Sequence, residues 1–262
     1  MTPIRTCLAA LLLTTSTGAA LAFQPLITDD TGTQGQGGKQ IEVAYVEKQA
    51  TLSGDTTRTS TLPLVFTWGA SDAIDVYVGI VPTQIRSGTP GVDTGGLGNT
   101  AVGAKWRFLE NEDSGTSLAI KPEVRLPVGS SQEAAGLGAG MTSYGLTLVL
   151  SQEFSFGAIH FNLVKGRDLF LEPDTRPHAS TLRASVAPVW NVSEQWKLAL
   201  ELGREAVSTG GDTATTQFVQ LGAIYSPTND IDVAMGLLRS TDDAAAQTTT
   251  TTATLGLTWR FR

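Results

Sequence analysis

The sequence predicts an all-β protein: an antiparallel, up-and-down transmembrane β-barrel of about twelve strands with a short N-terminal lead. Three observations carry this. Successive segments alternate oily and polar side chains, the connectors between them run short and long in turn, and the five tryptophans fall at one end of their segments. The composition agrees, with 28 glycines and only 16% charged residues among 262. Nothing after residue 22 is a long apolar helix.

The chain begins with Arg5, an apolar run from Cys7 to Leu13, and small residues ending Ala20-Leu21-Ala22. That is the order of a secretory signal peptide, and the run is too short for a spanning helix, which needs roughly 20 apolar residues. Residues 1–22 are therefore expected to be removed, 23–38 to form a lead, and 39–262 to form the barrel. The only cysteine, Cys7, goes with the leader. The mature protein then holds together in an oxidising compartment without disulfides, which argues for a large intrinsic bonding network. Without Arg5 the remaining basic residues face 25 acidic ones, so no nucleic-acid footprint is present.

Strands follow from a period of two. Over 99–108, Thr100, Val102, Ala104, Trp106 and Phe108 alternate with Asn99, Ala101, Gly103, Lys105 and Arg107. Over 117–126, Leu118, Ile120, Pro122, Val124 and Leu126 alternate with Ser117, Ala119, Lys121, Glu123 and Arg125. The same rule places strands at 39–49, 58–68, 74–85, 143–154, 158–166, 180–190, 196–206, 216–226, 231–239 and 250–261, the run Thr248–Thr252 merging into the last.

Alternation is shared by soluble sandwiches, so two further features decide. Short connectors at 69–73, 109–116, 155–157, 191–195 and 227–230 interleave with longer ones at 50–57, 86–98, 127–142, 167–179, 207–215 and 240–249, as periplasmic turns and extracellular loops do in membrane barrels. Trp68, Trp106, Trp190 and Trp259 end downward strands and Trp196 begins an upward one, so all five map to the periplasmic rim, joined there by Phe154 and Tyr225. Such a girdle suits the membrane–water boundary. A spanning sheet must also close, because lipid satisfies no open edge.

Two stretches resemble a known family. The lead reads Gln24-Pro-Leu-Ile-Thr-Asp-Asp-Thr-Gly-Thr-Gln-Gly and then Gly38-Lys-Gln-Ile-Glu, and residues 96–108 read GLGNTAVGAKWRF. Together they resemble the meta-pathway phenol-degradation family of outer-membrane proteins, which is related to fatty-acid and aromatic-hydrocarbon channels. The resemblance spans essentially the whole mature chain. It implies an outer-membrane location in a Gram-negative bacterium and passive uptake of small aromatic or hydrophobic compounds. The last strand, Leu255 to Phe261, looks like the signal read by the barrel assembly machinery, with Arg262 departing from the usual terminal aromatic. Lipid bilayer, lipopolysaccharide and a small-molecule solute are the partners expected of a monomer, with no cofactor.

If the oily faces meet lipid, the alternate faces line a lumen. Lys105, Arg107, Lys121, Glu123 and Arg125 would cluster there as a constriction, with Glu42, Asp75, Arg183, Lys197, Glu201 and Arg260 on the same wall. Charges so placed must be paired or wetted. Asp29 and Asp30 in the lead could fold back against this basic ladder as a plug or gate; the plainer reading is an Asp-initiated turn. Acidic loop residues Asp174, Asp212, Asp242 and Asp243 offer a place for divalent cations, against the simpler reading of solvated surface.

Two rivals stand beside the channel. One is a closed structural or sensing barrel whose side chains fill the lumen. The other is an outer-membrane hydrolase, for which His160 and His178 are the only histidines. His160 shares a face with Asn162 and would point inward, His178 lies in a loop near Asp174, and neither sits in a nucleophile motif. No catalytic or metal residue is assigned.

Overall fold

The computed structural model describes residues 25–87, 93–244 and 246–262. The leader and the first two residues of the lead lie outside the described residues. Fifteen strands form one antiparallel sheet: β1 (Lys39–Leu52), β2 (Asp55–Thr61), β3 (Leu64–Gly69), β4 (Ile74–Ile80), β5 (Pro82–Ser87), β6 (Thr94–Leu97), β7 (Ala101–Asn111), β8 (Thr116–Arg125), β9 (Ser143–Phe154), β10 (Gly157–Asp168), β11 (Ala179–Asn191), β12 (Trp196–Thr209), β13 (Asp212–Thr228), β14 (Ile231–Asp242) and β15 (Thr248–Phe261). One short helix, α1 (Ser130–Ala134), interrupts the longest loop. The sheet closes on itself through β15 and β1, paired from Lys39 opposite Phe261 to Leu52 opposite Thr248. Three staves are each made of two strands, β2 with β3, β4 with β5, and β6 with β7, so the closed barrel has 12 staves.

The breaks in those three staves were not visible as breaks in the alternation, and they correct the uninterrupted strands expected at 58–68 and 74–85. Pro63 and Pro82 have no N–H to give the ladder, and Gly98 sits where a Cβ would press on the Leu137 and Val81 carbonyl oxygens. The breaks line up across the wall. Leu62 N–H donates to Pro82 O, Gly98 N–H to Val81 O, and Leu126 N–H to Thr100 O. Beyond the break the connector expected at 86–98 contains a real strand, β6, paired with β5.

The connector rhythm also needs correction. The loops expected at 50–57 and 207–215 are two-residue hairpins, because β1 runs on to Leu52 and β12 and β13 run on to Thr209 and from Asp212. Their turn residues explain it: Ser53 and Gly54 have φ of 52° and 95°, and Gly210 and Gly211 have 62° and 99°, the positive pair that a tight hairpin needs. Among the connections that are described throughout, the long ones are 126–142 and 169–178. At the opposite end every connection is a short turn, and Trp68, Trp106, Trp190, Trp196 and Trp259 all lie beside those turns, facing outward. Trp196 stacks on Tyr225 at 4.8 Å and Trp259 on Phe261 at 4.7 Å.

The outer wall is apolar. Leu64, Phe66, Val78, Leu148, Leu163, Leu202, Leu237 and Leu257 are among many large hydrophobic side chains exposed on it, an arrangement that water would penalise and lipid would not. Many of the buried side chains are instead polar or charged, among them Glu42, Asp75, Lys121, Arg125, Arg183, Glu201 and Gln220. The oily face is outside, as in a membrane barrel.

Candidate functional site: a lumen crossed by the lead

Residues 25–38 do not hang below the barrel. They run through it, bonded in order to the inner faces of successive staves. Pro25 rests against Gly222 and Gly236, where a Cβ would meet its ring at 2.8 and 2.9 Å, and its carbonyl accepts from Gln220 Nε2 at 2.6 Å. Leu26 packs with Ala187, Val189 and Ala199. Ile27 N–H donates to Glu201 Oε2 at 2.8 Å, and the Thr28 hydroxyl donates to Glu201 Oε1 at 2.7 Å while bonding Ser185 at 2.6 Å. Asp29 and Asn162 exchange two bonds, backbone to side chain, both 2.8 Å. Thr31 N–H donates to Ser151 Oγ at 3.1 Å, and Gln34 N–H reaches Asp75 at 3.0 Å. The path thus leads from β13 and β14 across to β4, after which the Gly-rich turn docks on the end of β3: Gly37 N–H donates to Gly69 O and Gly69 N–H to Gly38 O.

The centre of the crossing is an ion triad. Lys105 Nζ lies 3.0 Å from Asp29 Oδ1 and Lys121 Nζ 2.7 Å from Asp29 Oδ2. Lys105 also donates to the carbonyls of Asp30 and Gly32, at 3.1 and 3.0 Å. Burial pushes the Asp29 carboxyl up, and the two ammonium groups outweigh it, so it sits below the ordinary carboxylate value of 3.8. Asp30 differs. Its Oδ1 accepts from Gly32 N–H at 2.7 Å, closing an Asp turn, and it stands 3.7 Å from Lys105. Asp30 thus closes a turn, while Asp29 ties the lead to the wall.

The five lumen candidates divide into three groups. Lys105 and Lys121 hold Asp29. Glu123 and Arg125 lie farther up the wall in a separate chain, with Tyr77 Oη donating to Glu123 at 3.0 Å and Arg125 3.2 Å from Asp168. Arg107 is at the rim, donating to Asp72 O at 3.1 Å and pairing with Glu110, because a bulge between Arg107 and Leu109 shifts the end of β7. Sequence reading missed Tyr77 and Thr28. Tyr77 has the inward parity of Asp75, and its ring fits only because Gly103 opposite lacks a Cβ, which would meet the hydroxyl at 2.3 Å. Thr28 had no signal of its own, since its role depends on where the lead goes.

The crossing separates two cavities at the rim that carries the tryptophans. One, of about 680 Å³, is lined by Glu42, Asp75, Tyr77, Lys105, Lys121 and Arg260. The other, of about 500 Å³, is lined by Arg107, Ser117, Ser151, His160, Asn191 and Lys197. Both are polar. At the far end, loops 126–142 and 169–178 fold in against the wall, Ala139 and Phe170 packing with Ala179 and Val207. Glu133 ties them by accepting from Gly140 N–H and Leu171 N–H. Asn99 clasps the first of them, donating to Leu126 O and Ala139 O and accepting from Ala139 N–H. That clasp is the structural use of the Gly-Leu-Gly-Asn stretch.

His160 Nδ1 is 2.8 Å from Ser151 Oγ, the same oxygen that accepts from Thr31 N–H, so this serine is occupied in positioning the lead. His178 Nδ1 accepts from Phe170 N–H at 3.1 Å, a loop-fixing role. Asp243 caps Thr215 N–H and Asp242 caps Thr248 N–H, and no cluster of three or more metal-ligating side chains occurs among the described residues.

A family model described as "Putative MetA-pathway of phenol degradation" matches residues 28–261. Among solved structures the chain is similar to an outer membrane channel from Pseudomonas putida, at 17% identity and a TM-score of 0.71, covering 88% of this chain and 98% of that one. It is similar also to the β domain of a Bordetella autotransporter, at 13% identity and 0.55, covering 86% and 100%. A monoaromatic hydrocarbon channel, CymD, aligns at 10% identity and 0.49, over 87% and 90%. No curated protein matches. The fold is that of the barrels of the Gram-negative outer membrane.

Proposed function

The chain belongs to this phenol-degradation family, and from that premise we propose that it is an outer-membrane channel for passive uptake of small aromatic or hydrophobic compounds, gated by its own N-terminal lead. The observation that carries the gate is the Asp29 triad. A single carboxylate pairs with two lysines on neighbouring staves, so one local change releases the middle of the crossing. The solute class rests on the family. The polar walls of the two cavities suit a solute with a hydroxyl, such as a phenol, better than an alkane.

The roles follow. Asp29, Lys105 and Lys121 form the constriction, Asp30 shapes the turn that follows it, and Glu123, Arg125 and Arg107 stiffen the wall. The five tryptophans mark the periplasmic boundary of the membrane. Leu255, Leu257 and Trp259, exposed on β15, form the strand read by the assembly machinery, and the protein acts as a monomer with no catalytic step.

Liposome swelling with sugars, phenols and alkanes tests this reading. Phenols should enter faster than sugars of similar size. The lead is bonded to both sides of the lumen, which favours one rival, the closed structural barrel; swelling with none of the three solutes, for the wild type and for Asp29→Asn alike, would establish that rival instead.

A further inference from the structure

Six basic side chains face outward from the wall: Arg58, Arg86, Lys165, Arg167, Arg204 and Arg239 are all exposed. None is in a salt bridge among the described residues, although the inward-facing lysines and arginines pair repeatedly. In a chain with a net charge of −7, unpaired cations gathered on an otherwise oily surface call for an anion.

Their height is set by the strand register. Trp196 to Arg204 on β12, Ile231 to Arg239 on β14, and Gly157 to Lys165 on β10 are the same interval of strand. Ile231 lies opposite Trp259 and Gly157 opposite Trp190, so all three intervals start at the tryptophan rim. At a rise of ~3.3 Å per residue and a tilt near 40°, that interval is about 20 Å, close to the height of the apolar band of a membrane barrel. The surroundings agree. Below the cations, Leu163, Leu202 and Leu237 are exposed; above them the strands carry Ser208 and Thr241. The basic residues therefore form a belt at the edge of the outer leaflet.

One pair in the belt is opposed by its own geometry. Arg58 and Arg86 are directly opposite each other on β2 and β5, a like-charge juxtaposition that destabilises a sheet. Arg86 donates to Gln84, and Glu47, within electrostatic reach of both, already accepts from Tyr45 and Gln49. That carboxylate is in a salt bridge with neither guanidinium group.

We propose that this belt binds the phosphate groups of the phosphorylated glycolipid that forms the outer leaflet. Guanidinium groups meet phosphate oxygens in bidentate fashion, and the acyl chains of the same molecule would cover the leucines below. The inference depends on the barrel's place in the membrane and not on which solute it passes.

Purified full-length protein in detergent would be titrated with bisphosphorylated lipid A, with dephosphorylated lipid A, and with inorganic phosphate as competitor, bound lipid being read by native mass spectrometry. Bisphosphorylated lipid A should bind more tightly than its dephosphorylated form. The triple variant Lys165→Gln, Arg167→Gln, Arg204→Gln should lose about tenfold of that affinity, as three exposed charge contacts imply, while binding dephosphorylated lipid A as the wild type does. Arg167→Lys should retain binding. Equal affinity of the wild type for the two lipids would overturn the proposal whether or not the variant folds. So would millimolar phosphate displacing the lipid, which would mark a free-phosphate site, or an unchanged triple variant.

Discussion

In the proposed gate Asp29 is the central residue, because among the described residues it is the one acid at ion-pair distance from both Lys105 Nζ and Lys121 Nζ. Replacing it with Asn leaves the Asn162 exchange with its backbone possible and removes the charge. The two buried ammonium groups then lose the carboxylate between them, Lys105 keeping a 3.7 Å contact with Asp30, a cost of ~3 kcal/mol to the docked lead. The expected outcome for Asp29→Asn is a higher single-channel conductance with the barrel still folded, whereas Asp30→Asn, which keeps an amide oxygen for Gly32 N–H and loses only the charge of a 3.7 Å contact, should change conductance little. The pH dependence has a definite sign. The folded-state carboxyl titrates below its ordinary value of 3.8, so the docking contribution is complete above that value and is lost as pH falls through the lowered one. Conductance of the wild type should rise in that acid window and stay flat on either side; Asp29→Asn should show no such step.

Elements were legible where one face is oily and the other polar without interruption. β9, β10 and β15 lie close to where the alternation puts them, and β14, the weakest segment by pattern, is a full strand paired on both sides. Legibility failed where backbone chemistry overrides side-chain pattern. Pro63 and Pro82 sit within runs that still alternate, so the breaks are invisible to a period of two. The glycines and polar residues at 207–215 look like a loop, yet only Gly210 and Gly211 turn. The lead carried the least information of all, since a short polar segment has no periodicity and its conformation is dictated by the wall it touches. That dependence can be tested directly. Thr28 Oγ1 and Ser185 Oγ are 2.6 Å apart, near the separation a disulfide needs, and Cys7 belongs to the expected leader. Thr28→Cys with Ser185→Cys should lock the lead to β11 on oxidation. Phenol-driven swelling should fall under oxidising conditions and return on adding dithiothreitol; flux indifferent to the bond would mean the lead does not move during passage.

At the scale of the whole molecule, closure and occlusion are separate devices. The barrel is shut by the pairing of β1 with β15 along their full lengths, a requirement of the lipid that no lumenal segment can relieve. The lead touches side chains and glycines of the inner faces, and adds backbone pairing to the sheet only beside Gly69. This is why the sequence could announce the barrel, whose logic repeats every strand, but could set Asp29 against the basic ladder only as one of two readings, without giving the path of the lead. It also implies that the lead is dispensable for folding. Deleting residues 25–36 exposes Glu201, Asn162, Lys105 and Lys121 to a lumen wide enough to admit water, which can satisfy them in place of the lost partners. The deletion variant should keep the heat-modifiable electrophoretic mobility of a folded barrel and conduct more than Asp29→Asn, and the acid step in conductance should be gone. A variant that failed to reach the folded mobility would show instead that Glu201 and the two lysines need the lead to be buried at all, making it part of the core and not a gate.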